Sequence, residues 1–222
     1  AQWSNEGNDR EHTGCSPYIG AQAATVKWTF NAEASLDNSS PAIGSDGTVY
    51  VSAVHREYTV PGSGFYYTGS SVYALDEENS TQKWAFTTKH LIQRGPAIGP
   101  DGTVYVGTDN WDVDLNRTVG ITSAGHIYAL DGATGSQKWD YTTSDSVIGI
   151  STGADGTVFA GSVDGKIYAL DGSTGTRKWV CIIQNIINSA PACMLGRPAI
   201  GADGTIYVGF TDGKLYAING ET

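Results

Sequence analysis

Positive charge, cysteine and long apolar runs are scarce in this chain, and each scarcity removes a class of function. Only 13 of 222 residues are Lys or Arg, against 23 Asp or Glu, for a net charge of −10. Phosphate backbones are held by clustered Lys and Arg, so nucleic acid is excluded as a partner, as is a polybasic membrane surface. No run of 18 apolar residues is present, so no membrane span is expected. The 3 cysteines show no C-x-x-C spacing and are too few for a disulfide scaffold. Helical periodicity of useful length is missing too. No signal peptide is visible, and a start at Ala1-Gln2-Trp3 without Met is what a mature N-terminus after cleavage would show. Charged residues are only 16% and hydrophobic ones 40%, too apolar a balance for a disordered chain.

Glycine, by contrast, is abundant. The 29 glycines are about 13% of the chain, against a usual share of ~7%. They lack a G-X-Y period, so many tight turns between short strands explain them. Four segments read P-A-I-G-x-D-G-T-V-Y-V or a close variant, with Asp-Gly pairs at Asp46, Asp101, Asp155 and Asp203. Each is followed by a run such as H-I-Y-A-L-D, and three of these lead into K-W at Trp84, Trp139 and Trp179. The repeat predicts four short strands: A (P-A-I-G), B (T-V-Y-V), C (I-Y-A-L-D) and D (K-W-x-F/Y). Asp-Gly turns A into B because the turn needs positive φ. Repeats of four strands are propeller blades. The recurring Asp residues are therefore turn residues rather than catalytic carboxylates.

The A-L-D-x-x-T-G-x-x-K-W run resembles the tryptophan motif of the PQQ-like β-propeller repeat family, and the likeness extends over nearly the whole chain. The lead-in W-x-x-x-G-x-D-x-x-H-T-G-x-S-P-Y-x-G at residues 3–20 is similar to that of secreted members. The family includes quinone-dependent dehydrogenases and non-enzymatic scaffolds of outer-membrane protein assembly. It usually has seven or eight blades, so four is a departure. Its enzymes carry adjacent cysteines, a Trp platform and a calcium held by Glu, Asn and Asp. No Cys-Cys pair or C-x-x-C-H haem site stands here, so the resemblance implies the fold without the chemistry, and no PQQ.

The chain is out of phase with its blades. Residues 26–30 (V-K-W-T-F) read as a strand D without its own A, B and C, and the fourth blade stops before its strand D. Trp28 thus completes a structural set with Trp84, Trp139 and Trp179. The expected architecture is an all-β propeller of four four-stranded blades over residues 21–222, preceded by an arm at 1–20. The N-terminal strand completes the last blade, either in cis, the favoured arrangement, or from a neighbouring subunit, as a dimer or a filament.

Two B–C connections are long. Tyr50 to Tyr73 and Tyr105 to Tyr128 each span 23 positions, against 9 for Phe159 to Tyr168. A third insert follows strand D of blade three. B–C and D–A connections leave an up-and-down blade on the same side, so all three decorate one face, where function usually sits. The first insert carries His55, Arg56, Tyr58, Phe65, Tyr66 and Tyr67, and the second Trp111. Tyr and Trp beside Arg favour a protein interface, and aromatics also stack on sugars. Against this stands a small satellite core within each insert. Asp112, Asp114 and Asn116 match the opening of a calcium loop, but Arg117 stands in place of its Gly and Ser123 in place of its Glu. A solvated polar turn is the plainer reading. His55, His90 and His126 fall near the same face as a weak metal candidate. Cys181 and Cys193 flank the third insert as a candidate disulfide, with Cys15–Cys193 pairing and free thiols as alternatives. Asn38, Asn79 and Asn116 head glycosylation sequons.

The reading is a non-catalytic, secreted, periplasmic or cell-surface propeller without a cofactor. It acts as a scaffold that binds proteins, including other copies of itself. A carbohydrate or ligand binder and a small quinoprotein oxidoreductase are the alternatives.

Overall fold

The computed structural model describes residues 23–36, 39–58, 65–92, 94–109, 111–113, 119–121, 124–183, 186–187, 190–191 and 194–220. These form strands and no helix. The first sheet has β1 (Ala42–Ile43), β2 (Val49–Tyr58), β3 (Phe65–Leu75) and β4 (Gln82–Thr88) side by side in chain order. The next repeat supplies β5 (Ala97–Ile98) and β6 (Val104–Gly107), then a separate hairpin of β7 (Trp111–Val113) and β8 (Val119–Ile121). It ends with β9 (His126–Leu130) and β10 (Gln137–Thr142), which complete the second sheet with β5 and β6. The third sheet is β11 (Val147–Thr152), β12 (Thr157–Ser162), β13 (Lys166–Asp171) and β14 (Arg177–Ile182). A short hairpin of β15 (Ile186–Ile187) and β16 (Ala190–Pro191) leads into a fourth sheet of β17 (Met194–Ile200), β18 (Ile206–Phe210) and β19 (Leu215–Ile218). Every pairing is antiparallel. The molecule is an up-and-down β-propeller, with β1, β5, β11 and β17 as the successive strands A.

The A–B turns are built by their Asp-Gly pairs. In the second blade Asp101 accepts the Thr103 N–H at 3.0 Å and the Thr103 hydroxyl at 2.7 Å, and Gly102 supplies a φ of 81°. The same turn recurs at Asp46, Asp155 and Asp203. The Lys of the K-W pair reaches back to the turn of its own blade: Lys138 donates to Thr103 Oγ1 at 2.6 Å and lies 3.3 Å from Asp101. Burial works against the charge on Asp101, but the Thr103 bonds and the Lys138 ammonium outweigh it and hold its carboxyl below the ordinary value. These carboxylates are structural, as expected for turn residues.

Adjacent blades are latched by a repeated pair of donors on one carbonyl. Tyr50 Oη and Trp84 Nε1 both donate to Gly132 O, at 3.0 and 2.8 Å. Tyr105 Oη and Trp139 Nε1 do the same to Gly172 O, at 3.0 and 2.8 Å. Each Tyr ring also packs on its Trp, with centroids 5.7 and 5.6 Å apart. Such a contact is worth about 0.5–1.5 kcal/mol beyond its buried area. Burial, followed by the nearby Asp46 or Asp101, pushes the Tyr50 and Tyr105 hydroxyls up to about 12. Between blades three and four Phe159 replaces the Tyr, and Trp179 alone donates to Gly220 O, at 3.3 Å.

Three apolar clusters fill the gaps between blades one and two, two and three, and three and four. Near the axis, Ser151 on β11 donates to Pro198 O and Thr152 to Ile98 O. The Arg197 guanidinium on β17 donates to the carbonyls of Gly95, Pro96 and Ile150, tying blades two, three and four. Among the described residues no comparable core joins blade four to blade one.

The seam departs from the favoured closure in cis. Among the described residues the fourth sheet has three strands, and residues 26–30 are not a strand of it. Trp28 nevertheless occupies a latch position, donating from Nε1 to Glu77 O at 2.8 Å. Lys27 pairs with Glu78 at 2.8 Å, and the Phe30 ring meets Tyr73 edge-on at 5.2 Å. The segment is thus held by blade one rather than by β19. The arm at residues 1–20 lies outside the described residues.

Candidate functional site: the hairpin face

All three inserts fold as strand pairs. The first lengthens β2 and β3 beyond the blade, with Arg56 opposite Tyr67, Glu57 opposite Tyr66 and Tyr58 opposite Phe65. The register shifts between His55 and Arg56, where Gly69 has a φ of 132°. The second insert is the β7–β8 ladder, with Trp111 opposite Ile121 and Asp112 opposite Gly120, and β7 packs beside β3. The third is β15–β16. Strand connectivity puts all three on the B–C and D–A side of the propeller.

Within the first hairpin, the Arg56 guanidinium lies 5.5 Å from the centre of the Tyr67 ring, a cation–π contact. His55 points differently. Its Nε2 is joined to Ser71 Oγ at 2.7 Å, which is joined to Thr87 Oγ1 at 2.8 Å, and burial pushes its pKa down. His55 is therefore a link across β2, β3 and β4. Tyr58, Phe65 and Tyr66 are placed on the paired strands of the same hairpin.

A second cluster was not legible as a unit. The His90 and His126 rings lie 4.3 Å apart, and the His126 ring stacks on Tyr128 at 5.7 Å and 9°. His126 Nδ1 meets both Asp140 carboxylate oxygens, at 2.9 and 3.1 Å. His55 does not join them. Among the described residues no group of three His, Cys, Asp or Glu side chains is placed to hold a metal ion. Of the calcium-loop candidates, Asp112 stands in β7 opposite Gly120, while Asp114 and Asn116 lie outside the described residues.

Of the candidate disulfide, Cys181 alone lies among the described residues. Cys181 is a free, half-buried thiol. It sits near the end of β14 opposite Ile167 and packs against the core between blades three and four. Burial raises its pKa. Cys193 lies outside the described residues, as does the sequon Asn38. Asn79 is exposed in the C–D turn of blade one, with its side-chain oxygen accepting the Thr81 N–H at 2.9 Å.

The opposite face carries clefts between adjacent blades. One, of about 210 Å³, is lined by Asp46, Asp101, Asp131 and Lys138 among others. Another, of about 800 Å³, is lined by Asp155, Asp203, Lys178 and Trp179. Pyrroloquinoline quinone is itself a tricarboxylate. Lys138 and Lys178 are already committed to Asp101 with Thr103 and to Asp155 with Thr157, and the axis of blades two to four holds Arg197 bound to carbonyls. These residues do not fit that cofactor.

The repeated Tyr–Trp latch on blades of four antiparallel strands defines a β-propeller of the tryptophan-motif class. The chain belongs to the family described as Outer membrane protein assembly factor BamB, whose pattern matches residues 68–222. Its fold is similar to that of BamB from Moraxella catarrhalis, at 22% identity and a TM-score of 0.61, over 87% of this chain and 49% of that one. It is also similar to the computationally designed Ika4 protein, at 10% identity and a TM-score of 0.60, over 89% of this chain and 99% of that one. A curated relative, Quinohemoprotein alcohol dehydrogenase of Comamonas testosteroni, is 30% identical over 179 residues, covering 72% of this chain and 21% of the relative. The chain thus spans about a fifth of that dehydrogenase and about half of the BamB chain.

Proposed function

We propose that the protein is a non-catalytic, secreted, periplasmic or cell-surface propeller that works as a scaffold, binding proteins through its hairpin face and associating with copies of itself. The observation that carries this is the placement of the three inserts as hairpins on one side, one of them presenting Arg56 against Tyr67. Packed blades with recurring Asp-Gly turns position them, and rigid placement of an aromatic–Arg pair reduces the ordering cost of binding. The family's description as an assembly factor supports the same reading. Among the described residues no helix is long and apolar enough to cross a membrane.

Cross-linking with mass-spectrometric mapping tests it. Partner cross-links are expected on the hairpins and are expected to disappear in an Arg56→Ala, Tyr67→Ala variant whose circular dichroism is unchanged. Cross-links confined to the turn face would overturn the assignment. Retention on a glycan array, lost with Tyr66→Ala and Tyr67→Ala, would favour a carbohydrate binder instead. The dehydrogenase relative gives a quinoprotein its place as an outcome: alcohol-dependent dye reduction with added quinone and calcium would refute the non-catalytic reading.

A further inference from the structure

The histidine cluster where blades one and two meet is built differently from its counterparts. The repeat shows what each position otherwise holds. His126 opens β9, and at that place the other strands C have Ser71, Lys166 and Lys214. Asp140 follows the Trp of its strand D, where blades one and three have Ala85 and Val180. His90 stands two residues beyond Thr88, where Asp145 stands two beyond Thr143. Two imidazoles and a carboxylate thus depart from the repeat together, and packing brings them to one spot on the hairpin side.

The cluster is held from several directions. The His90 N–H donates to Thr88 Oγ1 at 3.2 Å. The two residues after it are pinned as well: Leu91 O accepts the Asp109 N–H at 2.8 Å, and the Ile92 N–H donates to Ser70 Oγ at 2.9 Å. The Tyr128 ring stacks on His126 and lies 6.3 Å from His90. Both rings are therefore placed before any ligand arrives. The bond from His126 Nδ1 to the Asp140 oxygens, at 2.9 and 3.1 Å, also fixes the tautomer. A carboxylate only accepts hydrogen bonds, so Nδ1 of the neutral ring carries the proton and the lone pair is left on Nε2. A carboxylate behind an imidazole in this way orients metal-ligating histidines and raises their basicity.

We propose that His90 and His126 bind a divalent transition-metal ion of the zinc or copper class, with Asp140 as the positioning residue behind His126. Imidazole nitrogen suits these ions, whereas calcium and magnesium take oxygen, so the site differs in chemistry from a calcium loop. Zinc holds imidazole nitrogens at ~2.0–2.1 Å in a tetrahedral array, which sets two of them ~3.3 Å apart. Rings with centroids 4.3 Å apart reach that separation by side-chain rotation. The side chains of His126 and Asp140 are 18% and 31% exposed, which gives the ion a path from solvent. Two protein ligands leave the remaining coordination positions to water or to a donor brought from outside. The site does not depend on the hairpin face having a protein partner.

The test titrates Zn(II) alone into the full chain, stripped beforehand with a chelator, at about pH 7.5, where an ordinary imidazole is neutral. Calorimetry is expected to give one ion per chain. Nitrogen-15 spectra of the imidazoles are expected to shift at His126 Nε2 and in the His90 ring, with His12 and His55 unchanged. His90→Gln and His126→Gln are each expected to abolish the binding with unchanged circular dichroism. Asp140→Ala, which installs the residue blade one has at that position, is expected to weaken it about 10–100-fold. In the metal-free chain the same variant is expected to lose the Nδ1–H tautomer signature of His126, which a merely structural carboxylate would leave in place. Should a histidine variant fail to fold, the ring spectra of the unmodified chain and the Asp140→Ala affinity decide the matter. No binding at millimolar Zn(II), shifts at His12 or His55 instead, or full affinity in either histidine variant would overturn the site. Full affinity in Asp140→Ala would overturn the positioning role.

Discussion

Gly172 O is a buried acceptor with two donors, and removing them one at a time and together should give a non-additive loss. In Tyr105→Phe the indole of Trp139 still satisfies the carbonyl, so the cost is one hydrogen bond, about 1 kcal/mol. In Trp139→Phe the hydroxyl of Tyr105 remains, and the cost is a similar bond plus the lost ring area, about 2–3 kcal/mol altogether. With both replaced, the carbonyl is left without either donor, adding about 1–2 kcal/mol for an orphaned buried acceptor. The double variant should then lose about 4–6 kcal/mol, more than the sum of the single losses. Urea unfolding followed by near-ultraviolet circular dichroism measures all four corners of the cycle. Additivity within about 0.3 kcal/mol would show that the shared carbonyl does not couple the two donors.

The same two tyrosines set an alkaline limit. Their folded pKa is raised to about 12 from an ordinary 10, so their contribution is complete below pH 10 and is lost as pH rises towards 12. The loss is about 3 kcal/mol for each, and a Tyr50→Phe, Tyr105→Phe variant should show a much flatter stability profile over that window. Gly175→Ala forces a Cβ to within 2.8 Å of the Trp139 ring at a φ of 72°. Thermal melting should show a loss of about 1–3 kcal/mol, and an unchanged melting temperature would refute the latch geometry. Phe159→Tyr supplies the missing hydroxyl over Gly220, and urea unfolding should register a gain of about 0.5–1 kcal/mol.

The turns and the blades were legible because their chemistry is local. An Asp-Gly pair followed by Thr encodes its turn in four residues, and the repeat spacing then orders the strands. The length difference between Tyr50–Tyr73 and Phe159–Tyr168 located two of the inserts and their common face. That they would continue the ladder, with Arg56 opposite Tyr67, was hidden because pairing depends on a register shift at His55. His90 and His126 lie far apart in sequence and meet only because neighbouring blades pack. The Arg197 guanidinium spans three blades, since only packing brings Gly95, Pro96 and Ile150 within its reach.

By itself the sequence determined the all-β class, four repeats, the turn roles of Asp46, Asp101, Asp155 and Asp203, and the inter-blade place of the four tryptophans. Each rests on short-range backbone preference or on a motif repeated within the chain. Tertiary structure alone decided how the seam stands. Trp28 has a bonding partner on blade one and its strand has a free edge towards blade four. Which contact forms within one chain depends on the curvature of the whole arc, a sum over every inter-blade packing that no single motif encodes.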